Sequence, residues 1–235
     1  MLAIYKREMR SYFTGVIGYV FLVLFFAVSG ALFSYTTLFS MTADVSSYFT
    51  TMLIFLGIVL PLLTMKSFSE ERRTKTEQLL LTAPVSLISM VLGKFFAAYT
   101  VFAGALLLNS LAFLILTKYA VVQGALLFGS LVALLLVGMT FIAIGLFVSS
   151  LTENQLSAAV GTIAILAVLL LIGLINNLLP ATYWLRYVLD CISVFTRFQT
   201  FTNGYFDLAS LFYYLSMSAA FLYLTVRVYD RRRYH

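Results

Sequence analysis

Six stretches of this chain run 19 residues or more without a charged side chain: 11–43, 45–65, 95–117, 119–152, 154–185 and 208–226. A charge at the centre of a bilayer-spanning helix costs roughly 2.5–3.5 kcal/mol on insertion scales, so such runs mark the natural spans. Within them the pattern predicts helices near 16–38, 48–66, 92–116, 124–149, 155–179 and 208–228. Each is long enough to cross an apolar layer about 30 Å thick at about 1.5 Å rise per residue.

Lipid offers no partners for backbone polar groups, and these runs are too long and too uniformly apolar for the roughly ten-residue alternating strands of a barrel. The expected fold is therefore all-α: a polytopic membrane protein with six transmembrane helices, forming a single transmembrane domain over 1–235. The opening segment, with Lys6, Arg7 and Arg10 ahead of an apolar run, also has features of a secretory signal peptide. The uncharged run continues well past a typical signal core, so a retained first span is expected.

Six spans put both termini and the second and fourth connections on one face. That face holds Lys6, Arg7, Arg10, Lys66, Arg72, Arg73, Lys75, Lys94, Arg227, Arg231, Arg232 and Arg233, against Lys118, Arg186 and Arg197 on the other. The excess marks the first face as cytoplasmic, with the N- and C-termini both inside. Composition acquires its meaning from this placement. The chain is 62% hydrophobic and 10% charged, with a net charge of +6, whereas an ordinary soluble domain is about 25% charged. Alone, the basic excess could point to nucleic acid; distributed this way it is an orientation signal, and no nucleic-acid partner is expected.

The single His is His235 and the single Cys is Cys191, so a Ser-His or Cys-His pair within the membrane is excluded, as is a zinc site of the usual composition. Gly93-Lys94 is followed by Phe95 and lacks the upstream glycine of a phosphate-binding loop. No catalytic, cofactor-binding or metal-ligating residue is expected in this chain. Ion-coupled carriers need ionisable groups within their spans, and the span interiors are expected to hold none. Asn109, Asn176 and Asn177 are the polar exceptions there, read as interhelical hydrogen bonding or interfacial caps. An energy source outside the chain follows.

Between the second and third spans, Lys66 to Glu77 concentrates seven charges, after which the chain turns apolar through Leu79, Leu80 and Leu81 to Pro84. Thr74 and Glu77 have capping-box spacing, and Pro84 biases Ala83 away from helix, so a short exposed helix over about 74–81 is predicted. Its three leucines require a cover of headgroups, bundle or partner.

Four places resemble the permease subunits of ABC-2 type ATP-binding-cassette exporters, in particular the gliding-motility-associated and nitrous-oxide-reductase-maturation types. Glu70-Glu71-Arg72-Arg73-Thr74-Lys75-Thr76-Glu77-Gln78-Leu79-Leu80-Leu81-Thr82-Ala83-Pro84-Val85 is similar to that family's loop after the second span, with Gln78 where a hydrophobe or Glu can stand. Leu92-Gly93-Lys94-Phe95 matches the start of its third span. Ala143-Ile144-Gly145-Leu146-Phe147-Val148-Ser149-Ser150-Leu151-Thr152-Glu153-Asn154-Gln155 resembles its exit from the fourth. Phe198, Phe201, Gly204 and Asp207, followed by 221–227, resemble its closing segment.

The resemblance implies that a separate cytoplasmic ABC ATPase holds ATP and magnesium, while this chain is the permease and not itself an enzyme. The loop over 67–85 is then the coupling element. Thr76, Glu77, Leu79, Leu80 and Leu81 dock, and Glu70, Glu71, Arg72, Arg73 and Lys75 surround them. Thr152, Glu153 and Asn154 form a second contact near the same surface or a plain connector. The resemblance also implies a second permease copy, most simply a homodimer, and the plasma (inner) membrane of a bacterium or archaeon. An accessory subunit with a periplasmic domain is a further partner of such systems. The alternative function is a membrane scaffold that transmits ATPase-driven change to a periplasmic or membrane partner without moving a solute.

At the N-terminus, Leu2, Tyr5, Met9 and Tyr12 share one helical stripe beside Lys6, Arg7 and Arg10, which suits an elbow helix over 1–13 lying among lipid headgroups. On the outer side, 180–207 mixes aromatics with sparse charge. It is expected to form short helices in the outer headgroup region. In the resembling family it caps the translocation path, which makes Phe198, Phe201, Gly204 and Asp207 an outer gate segment.

Overall fold

The computed structural model describes residues 1–39, 45–76, 86–116, 123–178, 189–190 and 192–233. Its principal helices are α1 (Leu2–Thr14), α2 (Val16–Phe33), α3 (Val45–Arg73), α4 (Leu87–Leu116), α5 (Gly124–Leu151), α6 (Gln155–Leu178), α7 (Val194–Thr202) and α8 (Leu208–Arg233). Widened turns over Ser34–Phe39 prolong α2. Among the described residues there is no strand. Among these residues six helices are long and apolar enough to cross a membrane: Val16–Thr37, Val45–Arg73, Leu87–Leu116, Gly124–Leu151, Gln155–Asn176 and Leu208–Arg233. The all-α, six-span expectation agrees with this.

Two of the six form the centre. The apolar windows of α5 and α3 are 67% and 61% buried, against 22% for α2 and α8. The sequence reason is side-chain size, because small residues let helix backbones approach where no hydrophobic effect drives association. A Cβ on Gly145 of α5 would lie 2.2 Å from Thr64 Oγ1 of α3, and one on Gly138 would lie 2.0 Å from the Phe102 ring of α4. Ser149 of α5 goes further and enters the α3 backbone ladder. Its hydroxyl accepts from the N–H groups of Phe68 and Ser69, both at 3.1 Å, and donates to Met65 O at 3.2 Å.

At the end of the bundle where α3 starts, Phe33, Tyr48, Phe49 and Phe113 stack edge-on and face-on with centroids 4.9–6.4 Å apart. Asn109 Nδ2 donates to Tyr48 OH at 2.8 Å, Ser29 Oγ donates to Asn109 Oδ1, and Ser29 and Tyr48 share a bond of 2.9 Å. Asn109 thus ties α2, α3 and α4 together, the interhelical role read from sequence. Asn176 Nδ2 donates to Asp190 Oδ1; the side chain of Asn177 lies outside the described residues.

Two helix boundaries and one buried face differ from expectation. Helix α3 does not stop near 66 but continues through the charged run to Arg73, because Lys66 and Glu70 pair at 3.1 Å one turn apart and Ser149 secures the backbone. Thr74 does not open a new helix. Its N–H and hydroxyl both bond Glu70 O, at 2.9 and 2.8 Å, and Lys75 has φ +58°. A left-handed residue there ends a helix and cannot be the first residue of the next. The rest of that expected helix from Glu77 onward, including Leu79, Leu80 and Leu81, lies outside the described residues, as does Pro84, which was to close the segment. Third, α1 buries Ile4 and Tyr12, while Leu2 of the anticipated stripe is 68% exposed.

Gly145→Ala tests the close approach of α3 and α5. Overpacking of this kind costs about 1–3 kcal/mol, and Thr64→Ala in the same chain removes the nearest offending atoms. The single variant is expected to lower the thermal unfolding midpoint in detergent, and the double variant to recover part of the loss.

Candidate functional site

The charged residues of one end of the bundle condense into a connected cluster. Helix α1 ends at Thr14, the chain turns through Gly15 in an extended conformation at φ −90° and ψ 155°, and α2 begins at Val16. This sharp turn lays α1 across the start of α4, where a Cβ on Gly93 would meet Ile4 Cγ2 at 3.0 Å. Glu8 falls between Ile4 and Tyr12 at four-residue spacing and so shares the face that α1 buries.

Opposite Glu8 stands Lys94, two turns into α4 and 1% exposed. Its ammonium lies 3.1 Å from Glu8 Oε1 and 2.9 Å from Glu71 Oε1, donates to Ser67 O at 2.7 Å, and sits 5.0 Å from the centroid of the Phe68 ring. Arg7 closes the group, with one guanidinium nitrogen 2.6 Å from Glu8 Oε1 and 2.7 Å from Glu71 Oε1. Two cations and two carboxylates therefore join α1, α3 and α4. The expectation of span interiors without ionisable groups is corrected here, since Lys94 is inside α4 and buried. It is tolerated because all three of its donor directions find acceptors close to the helix end.

Burial alone would hinder the ionisation of Glu8, but the attraction of Lys94 and the bonds from Arg7 and Lys94 outweigh it and hold the carboxyl below its ordinary value of 4.5. Arg7, whose desolvation is likewise overcome by Glu8 and Glu71, is held above its ordinary value.

A second set of contacts extends the cluster to the remaining helix ends. Arg72 donates to Leu151 O at 2.8 Å and pairs with Glu153 at 2.9 Å, while Arg232 of α8 donates to Ser150 O at 2.7 Å. Tyr229 stacks on Phe68 with centroids 5.0 Å apart. The end of α3, the connector after α5 and the start and finish of the described chain thus meet at one end of the bundle.

Of the residues singled out for coupling, the structure places Glu71 against Lys94 and Arg7, Glu70 against Lys66, and Arg72 against Glu153. Arg73, Lys75 and Thr76 are at the tip, where Thr76 Oγ1 bonds Glu71 O at 3.3 Å. Thr152 bonds back to Val148 O at 3.3 Å, and Asn154 Oδ1 accepts from Leu156 N at 3.0 Å to start α6. Arg7, Glu8, Lys94, Ser149 and Arg232 were not singled out. Glu8 carried a sequence signal as the one acid on the face of α1 between Ile4 and Tyr12, and Lys94 and Ser149 stood within two of the stretches that resemble the family.

The outer-gate residues stand at the other end, about 40 Å away by the length of α3. Phe198 and Phe201 are buried. A Cβ on Gly129 of α5 would lie 3.1 Å from Phe201 O, and Gly204 turns the chain at φ +84°. Asp207 caps α8 by accepting from the Ser210 hydroxyl and the N–H groups of Ala209 and Ser210, bonds that lower its pKa. Among the described residues, no group of three His, Cys, Asp or Glu side chains is placed to hold a metal ion.

Six apolar helices around an α3–α5 core, with charge gathered at their ends, define a multi-pass membrane protein. The family model for ABC-2 family transporter proteins matches residues 2–232, and the chain belongs to that family. Its members are the membrane components of ABC transporters, which implies an ATPase as partner. No curated protein matches the chain.

Lys94→Met tests the cluster. Removing one partner of a buried ion pair costs about 3–5 kcal/mol, and the partial exposure of Glu8 and Glu71 places this loss near the lower bound. In the same thermal-unfolding assay the unsubstituted protein should weaken in acid. A carboxyl with a lowered folded pKa stabilises above its unfolded value, near 4.5, and ceases to do so as pH falls through the folded value. The variant should show a smaller acid response.

Proposed function

We propose that this chain is the permease half of an ATP-driven exporter of the gliding-motility-associated and nitrous-oxide-reductase-maturation type. It works as a homodimer in a bacterial or archaeal plasma membrane, with both termini and the charged end cytoplasmic. ATP and magnesium are bound by the partner ATPase. The segment that follows Lys75, from Thr76 through Glu77 to Leu79, Leu80 and Leu81, docks on that ATPase, and substrate passes at the subunit interface.

The observation that carries this reading is the connectivity of the charged end. Helix α3 is one continuous helix from the opposite end of the bundle to Arg73, with Pro61 inside it, so a push on the residues beyond it is carried along a single element. Lys94, Ser149 and Arg72 tie the base of that helix to α4 and α5, the Phe68–Tyr229 ring contact ties it to α8, and Arg232 ties α8 to the end of α5. One displacement at the tip would then be shared by most of the bundle, which is what a transporter powered from outside its own chain requires.

The experiment is coexpression with the cognate ATPase and assay of permease-stimulated ATP hydrolysis in membranes. Leu80→Asp is expected to abolish stimulation while leaving the amount of inserted permease unchanged. Undiminished stimulation would contradict the docking assignment.

A further inference from the structure

A cleft of about 350 Å³ opens beside the charged cluster, between the α1–α2 elbow and the base of α3. Small-molecule sites begin at about this size. Its deep wall is fixed, since Lys94 and Glu8 are committed to one another and 1% and 12% exposed. Its rim is not. Lys66 and Glu70 form a one-turn pair at 3.1 Å with 33% and 32% exposure, and Arg7 is 49% exposed beside Glu71. Ser67, between them on the cleft wall, is 6% exposed, and its buried hydroxyl has no hydrogen-bond partner. The remaining wall is formed by Ser11, Tyr12 and Gly15 of the elbow, by Thr74 and Thr76 at the tip of α3, and by Ile17, which lies in the first turn of the membrane-spanning α2.

We infer that this cleft binds the headgroup of a zwitterionic phospholipid bearing a primary ammonium, of the phosphatidylethanolamine kind. Three features select that ligand. The cleft starts where the chain enters the apolar layer, so its mouth is at headgroup depth and an acyl chain can follow Ile17 along α2. Its lining is charge-balanced, with Arg7, Lys66 and Lys94 against Glu8, Glu70 and Glu71; such a lining suits a ligand carrying both signs and gives a net anion no excess attraction. The two sets of rim groups also demand different things. Lys66, Arg7 and the Ser67 hydroxyl donate, as a phosphate requires, and Glu70 accepts, as an ammonium with N–H donors requires. A trimethylated ammonium has no such donors. The lipid would occupy the joint between α1 and α3.

The test uses the full chain, delipidated in detergent, with lipids added back and binding read by native mass spectrometry and by the thermal unfolding midpoint. Phosphatidylethanolamine is expected to bind and raise the midpoint more than phosphatidylcholine or phosphatidylglycerol. Glu70→Gln and Lys66→Gln alter a half-buried one-turn pair of small stability value. Each is expected to weaken phosphatidylethanolamine binding about ten-fold, the effect of one charge-assisted hydrogen bond. Ser67→Ala, which removes an unpaired group, is a second variant expected to fold and to bind less tightly. Equal responses to all three lipids, or unchanged binding in all three variants, would overturn the inference. So would a full response to soluble glycerophosphoethanolamine, which would assign the cleft to a soluble ligand. No ATPase is present in this assay, so its outcome is separate from that of the export reading.

Discussion

The structure depends on one buried ammonium. Lys94 is the point at which an elbow helix, the base of the central α3 and the start of α4 are held together, through Glu8, Glu71 and the carbonyl of Ser67. An ammonium withdrawn from water costs several kcal/mol unless acceptors surround it, so the three acceptors are a condition of the fold at that end. Geometry then follows from the pair partners. With Glu8 fixed, Ile4 and Tyr12 are brought onto the bundle, and with Glu71 fixed, α3 remains helical past the apolar layer into the charged run.

The remaining helices attach to the same place by weaker and more numerous bonds. Ser149 enters the α3 ladder, Arg72 reaches the carbonyl of Leu151, and Arg232 reaches that of Ser150. The two arginines satisfy backbone acceptors at the end of α5 that have no partner within their own helix. Towards the opposite end, aromatic stacking and the Ser29–Tyr48–Asn109 group perform the equivalent task with uncharged side chains. One end is therefore joined by charge and the other by ring packing, with an α3–α5 contact of small residues between them.

Much of this was legible in the sequence. Charge-free runs locate six helices because a charge in lipid is costly whatever the tertiary context, and the asymmetry of Lys and Arg separates the two ends. Helix boundaries at the charged end were less legible. Lys66 to Arg73 reads as a polar loop, yet it is helix, because pairing with Glu70, Lys94 and Glu153 and the bonds from Ser149 replace water as the partner of its polar groups. The role of Lys94 was hidden for a related reason: it lies beside the start of an apolar run, and only the fold brings Glu8 and Glu71 to it from 86 and 23 residues away. Likewise, Phe198 and Phe201 read as gate residues, and their buried packing against α5 could be found only in three dimensions.

The central claim is that an ATPase engages the end of the bundle where α3 terminates. It is tested most directly by placing a photo-crosslinking side chain at Thr76, beside that terminus, and separately at Asn203, in the turn after α7 at the other end, in membranes containing the cognate ATPase. The account predicts a crosslink to the ATPase from position 76 whose yield changes with ATP, and none from position 203. A crosslink from 203, or no crosslink from 76 under any nucleotide condition, would contradict it.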